Sequence, residues 1–168
     1  EVSAVVVYPS AMVSRGAHAG PAAGTVSDGP IPILGEAHDR RGPVLLAWDQ
    51  VERASRIIGT GHNVVLHEFA HKLDMLDGVI NGSPPLGDRV DPDHWRDVCT
   101  EAFTALAAGE DRPPLQPYGA TNPGEFFAVA TEAFFDVPAS LEHHEPDLYA
   151  VLADFYGQEP PARTESPQ

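Results

Sequence analysis

His67-Glu68-Phe69-Ala70-His71, continued by Lys72-Leu73-Asp74, is the stretch on which the reading of this 168-residue chain turns. On an α-helix, residues four apart lie about 40° apart around the axis and roughly 6 Å apart along it. Both imidazoles then face one side and reach a single zinc ion at about 2.0–2.1 Å. Glu68 is rotated about 100° from His67, out of the two-histidine grip but within reach of a metal-bound water, which is the position of a general base. The flanking residues carry the helix. Leu66, Phe69, Leu73 and Leu76 form an apolar arc, with His67, His71 and Asp74 clustered opposite, as expected for a helix docked on a core beneath a metal site. Asn63 suits the N-cap, and the helix is expected from about Asn63 to Leu76, ending before Gly78.

Composition narrows the function classes. Ten basic residues against twenty-five acidic ones give a net charge of −15, which argues against a nucleic-acid-binding surface and against attraction to anionic lipid. Cys99 is the one cysteine, so no intramolecular disulfide forms, and a reducing, cytoplasmic location is expected. On a helix it reads as a small buried side chain. No stretch approaches the roughly 20 apolar residues of a membrane span, and no charged-then-apolar leader opens the chain, so no membrane partner is expected. The length suits one domain with a working core.

Along the chain, Val2 to Tyr8 is β-branched and apolar, closed by Pro9, and predicts a buried strand. Arg15 to Pro43 reads mainly as loop, with a short strand at Ile31 to Leu34. Val44 to Trp48 predicts a strand, either at the sheet edge beside the cleft, where an extended peptide adds as a further strand, or in the interior without a substrate role. Asn81 to Gly87 reads as a loop. Asp91-Pro92 opens a scaffold helix with Trp95, Val98, Ala102 and Leu106 at helical spacing; Asn122-Pro123 opens another to about Asp136; Pro146 opens a last one ending near Gly157. Gln158 to Gln168, rich in Pro and Glu, is expected to be disordered.

A catalytic zinc needs a third protein ligand, and three carboxylates compete for the place. Glu125, Glu132 and Asp136 fall within about 40° of one another on an otherwise apolar helix, a costly arrangement unless the stripe faces a metal ion and the histidines around it. Glu125 and Glu132 stand about 10.5 Å apart along the axis, too far for both to bind one zinc. Asn122-x-x-Glu125 also fits a capping box, in which Glu125 bonds backbone. Asp77 is the third candidate, by the ligand spacing of metzincin-type sites, although those carry glycine where this chain has Asp74.

The segment Asn63-Val64-Val65-Leu66-His67-Glu68-Phe69-Ala70-His71-Lys72-Leu73-Asp74-Met75-Leu76-Asp77-Gly78 resembles the active site of the Mlc titration factor A family of zinc metallopeptidases. Tyr118-Gly119-Ala120-Thr121-Asn122-Pro123-Gly124-Glu125-Phe126-Phe127-Ala128-Val129, continuing to Glu132 and Phe134-Phe135, resembles that family's downstream helix, whose first glutamate is the third zinc ligand. Tyr8-Pro9-Ser10 and Gly42-Pro43-Val44-Leu45-Leu46-Ala47-Trp48 extend the likeness over most of residues 1–157. The resemblance implies an α+β fold with a zincin-like core, in which a small mixed β-sheet packs on an active-site helix and a glutamate helix. It also implies a gluzincin-like ligand set of His67, His71 and Glu125, and a fold relation to the catalytic domain of anthrax lethal factor.

On this basis residues 1–157 are expected to form a zinc metallopeptidase domain, with an N-terminal portion of the family absent and 158–168 a disordered tail. One zinc ion per chain, a peptide or protein substrate and Glu68 as general base follow. The alternative is a regulatory zinc-binding module that sequesters a transcriptional repressor, so a transcriptional regulator is a candidate partner. Tyr118 matches a family tyrosine and is either an oxyanion donor or a turn residue packed on the surface. Asp74, one turn past His71, is expected to bond a ligand imidazole or to make a polar contact at the helix end. His62, His94 and His143-His144 lack a spaced partner and read as ordinary polar residues.

Overall fold

Asn63 opens the helix that organises the molecule. Its backbone is extended and its side-chain oxygen accepts the N–H groups of Val65 and Leu66 at 3.1 and 3.3 Å, capping a helix over Val64–Asp74. That helix tightens into a 3₁₀ turn, Met75–Asp77, and stops at Gly78, whose φ is 99°. The computed structural model describes residues 4–10, 42–56 and 59–161, together with the backbone of short strands between 12 and 37.

Seven strands and six helices make an α+β arrangement among the described residues. The strands are β1 (Val5–Tyr8), β2 (Met12–Ser14), β3 (His18–Ala19), β4 (Val26–Ser27), β5 (Ile31–Ile33), β6 (Gly35–Ala37) and β7 (Val44–Ala47). The helices are α1 (Trp48–Arg56), α2 (Val64–Asp74), α3 (Pro92–Ala107), α4 (Pro123–Asp136), α5 (Pro138–His144) and α6 (Pro146–Tyr156). β1 runs parallel to β7, from Val5 opposite Val44 to Tyr8 opposite Ala47, and β6 runs antiparallel on its other side, giving a small mixed sheet of order β1-β7-β6. β2 pairs with β5 and β3 with β4 as separate antiparallel ladders.

Several expectations are corrected here. Residues 2 and 3 lie outside the described residues, and the rest of the N-terminal strand is not buried: Val5, Val6 and Val7, which alternate between the two faces of the sheet, are 45, 37 and 49% exposed, and among the described residues β1 pairs with β7 alone. β-Branched residues specify a strand, not what covers it. The strand at Val44 is interior, between β1 and β6, with Val44, Leu46 and Ala47 buried, so it is not the sheet edge. Trp48 leaves that strand to begin α1. The stretch from Arg15 to Pro43 holds β3, β4 and β6 besides the expected strand at Ile31.

The core is helical. Asp91 accepts the Asp93 N–H at 2.9 Å and Pro92 fills the first turn of α3, which buries Trp95, Ala102 and Leu106. α4 is covered almost all round, eleven of its fourteen residues being buried, with Phe126, Phe127 and Phe134 packed against Leu148, Val151 and Leu152 of α6 within one cluster. α2 lies between α4 and the sheet, touching β6 and β7. Enclosed on both sides, it does not show the expected split into a buried apolar face and an open polar one. Its buried residues are Glu68, Ala70, Lys72 and Asp74, while Leu66, Phe69, Leu73 and Leu76 are only half-buried. The two helices are antiparallel, since Asn63 and His67 meet Glu132 near the end of α4 whereas Asp74 lies beside Gly124 at its start. α6 stops at Gly157, and Gln158 still bonds back to Ala153. Of the tail expected to be disordered, residues 162–168 lie outside the described ones.

Candidate metal centre

Three ligand-type atoms converge between α2 and α4. His67 Nε2 lies 3.0 Å from Glu125 Oε2 and 3.1 Å from His71 Nε2, and His71 Nε2 lies 3.3 Å from the same Glu125 oxygen. The helical spacing of the histidines brings their rings together edge to face, with centroids 4.7 Å apart. Glu125 reaches them from the first turn of α4. Asn122 caps that turn by accepting the Glu125 N–H at 3.0 Å, so half of a capping box is present, but the Glu125 carboxylate is turned to the imidazoles.

The donor set suits a cation. His67 Nδ1 lies 2.7 Å from Glu132 Oε1; donation of an Nδ1 proton to that carboxylate leaves a neutral His67 with its Nε2 lone pair facing His71 and Glu125. Two imidazole nitrogens and a carboxylate oxygen at this separation repel unless a proton or a metal ion lies among them. Ligand atoms of a tetrahedral site with bonds of about 2.0–2.1 Å stand roughly 3.3 Å apart, close to the observed separations. Without metal, the proton takes the role. Burial alone would push His67 down, but hydrogen bonds and charge from Glu125 and Glu132 outweigh it and raise its pKa to about 10. Burial would likewise raise Glu125, yet the hydrogen bonds and charges of His67 and His71 hold it down at about 2.

The acidic stripe of α4 divides its work rather than facing one ion. Glu132, fully buried, holds His67 Nδ1 with one oxygen, and with the other accepts the Asn63 N–H and stands 3.4 Å from His62 Nδ1. Asp136 Oδ2 accepts three consecutive N–H groups, from Gly59, Thr60 and Gly61, at 3.1, 3.0 and 2.9 Å, a backbone nest closed by a carboxylate. The stripe therefore fixes both the imidazole and the loop leading into α2. The reading of His62 as an ordinary polar residue missed its place beside Glu132. Nothing in a lone histidine directly before a helix N-cap signals a carboxylate arriving from another helix.

Asp77 is not part of the cluster. It is exposed, and its carboxylate accepts the Val79 N–H at 2.9 Å. Glu68 is buried, at 5% exposure, and its charge is felt by Tyr118. Tyr118 sits in a 3₁₀ turn, Pro117–Ala120, with its ring centroid 6.0 Å from that of His67 and its side chain half-exposed. Partial burial first, then the charge and hydrogen bond of Glu125 and the charge of Glu68, push that hydroxyl up to about 12, so it remains a donor at neutral pH. Gln116, two residues earlier, donates from Nε2 to Gly61 O at 2.9 Å and ties the tyrosine turn to the Asp136 nest. Asp74 is fully buried; one oxygen accepts the Gly82 N–H, and the expected bond to an imidazole is not made, His71 Nδ1 being buried without a hydrogen-bond partner.

The family model described as glucose-regulated metallo-peptidase M90 matches residues 1–157. The chain belongs to that family. The chain is 41% identical over 159 residues to an uncharacterized protein of Synechocystis, covering 93% of this chain and 58% of that protein. It is 36% identical over 148 residues to the Mlc titration factor A of Pectobacterium atrosepticum, covering 85% and 55%, and 34% identical over 165 residues to that of Yersinia enterocolitica, covering 95% and 60%. The chain thus spans a little over half the length of these relatives. Membership in a metallopeptidase family implies a metal ion, and among the described residues His67, His71 and Glu125 are the group able to hold one. No helix of the described residues is long and apolar enough to cross a membrane.

Proposed function

We propose that the protein is a zinc-dependent peptidase in which His67, His71 and Glu125 hold the ion and Glu68 is the general base. The observation that carries this reading is the convergence of the two imidazole Nε2 atoms and one Glu125 oxygen, with Glu68 buried on the same helix. Bound there, zinc would supply a Lewis acid that brings the pKa of a water to about 7 and polarises the scissile carbonyl. The remaining chemistry belongs to the chain. Glu68 removes a proton from the attacking water as its oxygen bonds to the carbonyl carbon, then delivers that proton to the amine nitrogen as the C–N bond breaks. Tyr118 donates a hydrogen bond to the oxygen that becomes negative in the tetrahedral adduct. Glu132 keeps His67 in the tautomer that presents Nε2.

The same reading makes residues 1–157 a zincin-like catalytic domain related in fold to that of lethal factor, acting on peptide or protein substrates in the cytoplasm. The name of the Pectobacterium and Yersinia relatives supports a second reading, a metal-holding module that binds a transcriptional regulator with little or no hydrolysis. The presence of Glu68 favours the enzyme, because a binding module has no need of a base beside its metal. Glu68→Gln separates the two. The variant should keep about one zinc per chain, since Glu68 is not a ligand, and lose about 10²–10⁴-fold in hydrolysis of unstructured peptides. Undiminished hydrolysis would remove Glu68 from the mechanism; zinc retained with no hydrolysis by parent or variant would favour the binding module.

A further inference from the structure

Seven large apolar side chains are exposed among the described residues, and they fall into two groups. Val5, Val6, Val7 and Trp48 lie on β1 and at the start of α1, whereas Val79, Ile80 and Tyr118, at 54, 53 and 55% exposure, lie on turns beside the metal cluster. The side chains of His67, His71 and Glu125 keep 14, 14 and 18% of their surface exposed, so the cluster opens to solvent. Tyr118 stands beside His67, with ring centroids 6.0 Å apart. Ile80 stands beside the glutamate: a Cβ on Gly124 would lie 2.7 Å from Ile80 Cγ2, so the isoleucine rests on the residue just before Glu125. The turn that holds Val79 and Ile80 outward is clamped at both ends. Asp77 accepts the Val79 N–H at 2.9 Å, and fully buried Asp74 accepts the Gly82 N–H at 2.8 Å. Gly82 has φ of +73°, and a Cβ there would lie 2.3 Å from Pro123 O, so glycine is what lets the turn reach α4. Residues 78–82 are thereby pinned between the end of α2 and the first turn of α4, the turn that carries Glu125.

We infer that Val79 and Ile80 are specificity-determining residues, an apolar shelf that receives an aliphatic or aromatic side chain of the substrate next to the bond being cut. The inference rests on the peptidase reading above and narrows its substrate class to peptides with a large apolar residue flanking the scissile bond. Single exposed apolar residues are ordinary, but an adjacent pair fixed beside a reacting centre is surface on which a ligand buries its own apolar area. Because the turn is already held in place, little ordering remains to oppose binding. Residues 77–83 offer no cation, and Asp77 is exposed among them, so an acidic side chain is disfavoured at the same place.

The test uses the full chain loaded with zinc and alanine hexapeptides that carry one leucine, phenylalanine or aspartate, with cleavage sites read by mass spectrometry. Leucine or phenylalanine next to the cleaved bond should raise kcat/KM about 10-fold over alanine, and aspartate should lower it. Val79→Ser and Ile80→Ala should each lose most of that preference through KM, while zinc content and turnover of the all-alanine peptide stay within about twofold of the parent. No preference in the parent, or the parent's preference intact in both variants, would overturn the inference. Should Ile80→Ala disturb Glu125, zinc content would fall and every peptide would slow alike; Val79→Ser then decides, since the contact with Gly124 is made by Ile80. If the zinc-loaded parent cuts none of the peptides, the peptidase reading fails and the shelf is judged by binding alone. The methyl signals of Val79 and Ile80 should then move on addition of the leucine peptide and stay in place with the all-alanine one, and any other response overturns the shelf.

Discussion

Tyr118 is half-exposed, its ring centroid is 6.0 Å from that of His67, and its hydroxyl is pushed up to about 12 by partial burial and by Glu125. If it donates to the developing oxyanion, Tyr118→Phe keeps the ring and loses only the donor. Turnover should fall about 10²–10³-fold with little change in zinc content or KM. Steady-state kinetics on one peptide decide it, and a rate within about threefold of the parent would leave Tyr118 a turn residue. Because its hydroxyl titrates only near 12, the donor should not produce an alkaline loss of activity at pH 8–10. Cys99 offers a second check at this scale. Cys99 is half-buried, not enclosed as expected, and this partial burial raises its thiol from 9.0 to about 12, so the folded protein keeps a proton that the unfolded chain releases. Its contribution to stability is therefore unchanged below pH 9 and becomes unfavourable as pH rises from there towards 12. Alkylation of the folded protein at pH 8 should be slower than in denaturant; equal rates would mean that partial burial does not hold the proton on the thiol.

α4 acts on α2 and on the loop leading into it through three carboxylates at three heights, and the outer two, Glu125 and Asp136, predict different phenotypes. Glu125→Ala should weaken zinc binding far more than Asp77→Ala, since Glu125 meets both imidazoles and Asp77 caps a turn. Chelator titration with Asp77→Ala the more damaging would overturn the ligand assignment. Asp136→Ala strips the acceptor from three N–H groups and should cost about 1–3 kcal/mol in denaturant unfolding, whereas a change under about 0.5 kcal/mol would show that water replaces it. Much of this scale was legible in the sequence, because helix starts are local chemistry. Asn63, Asp91-Pro92, Asn122-Pro123 and Pro146 each stand where a helix begins. α5 and α1 were not legible. α5 follows α4 after a single residue and has no side-chain cap, and α1 begins at Trp48 directly from β7 without a turn residue between. The interior place of β7 depends on strand neighbours remote in sequence, and the exposure of β1 on what packs over its faces. The division of the stripe depends on remote partners too, for spacing alone separated Glu125 from Glu132 without showing that they meet opposite nitrogens of one ring.

Across the whole molecule, the proposed zinc would be a cross-link. Two of its ligands come from α2 and the third from α4, and these helices join the mixed sheet to the aromatic core around Trp95, Phe127 and Phe134. An ion bound only by the folded chain stabilises it by about 2.7 kcal/mol when free metal is 100-fold above Kd. For a chain of this size each kcal/mol moves Tm by about 2–4 °C, so stripping zinc with a chelator should lower Tm by roughly 5–11 °C. The shift should be restored by adding zinc back and should persist in Glu68→Gln, which keeps all three ligands. It should nearly vanish in Glu125→Ala, where the two histidines remain but no longer join the helices through metal. Calorimetry of the three proteins with and without zinc measures this. A parent Tm indifferent to zinc under conditions where the ion is bound would mean that the metal sits outside the α2–α4 junction, and the peptidase reading would lose the site on which it rests.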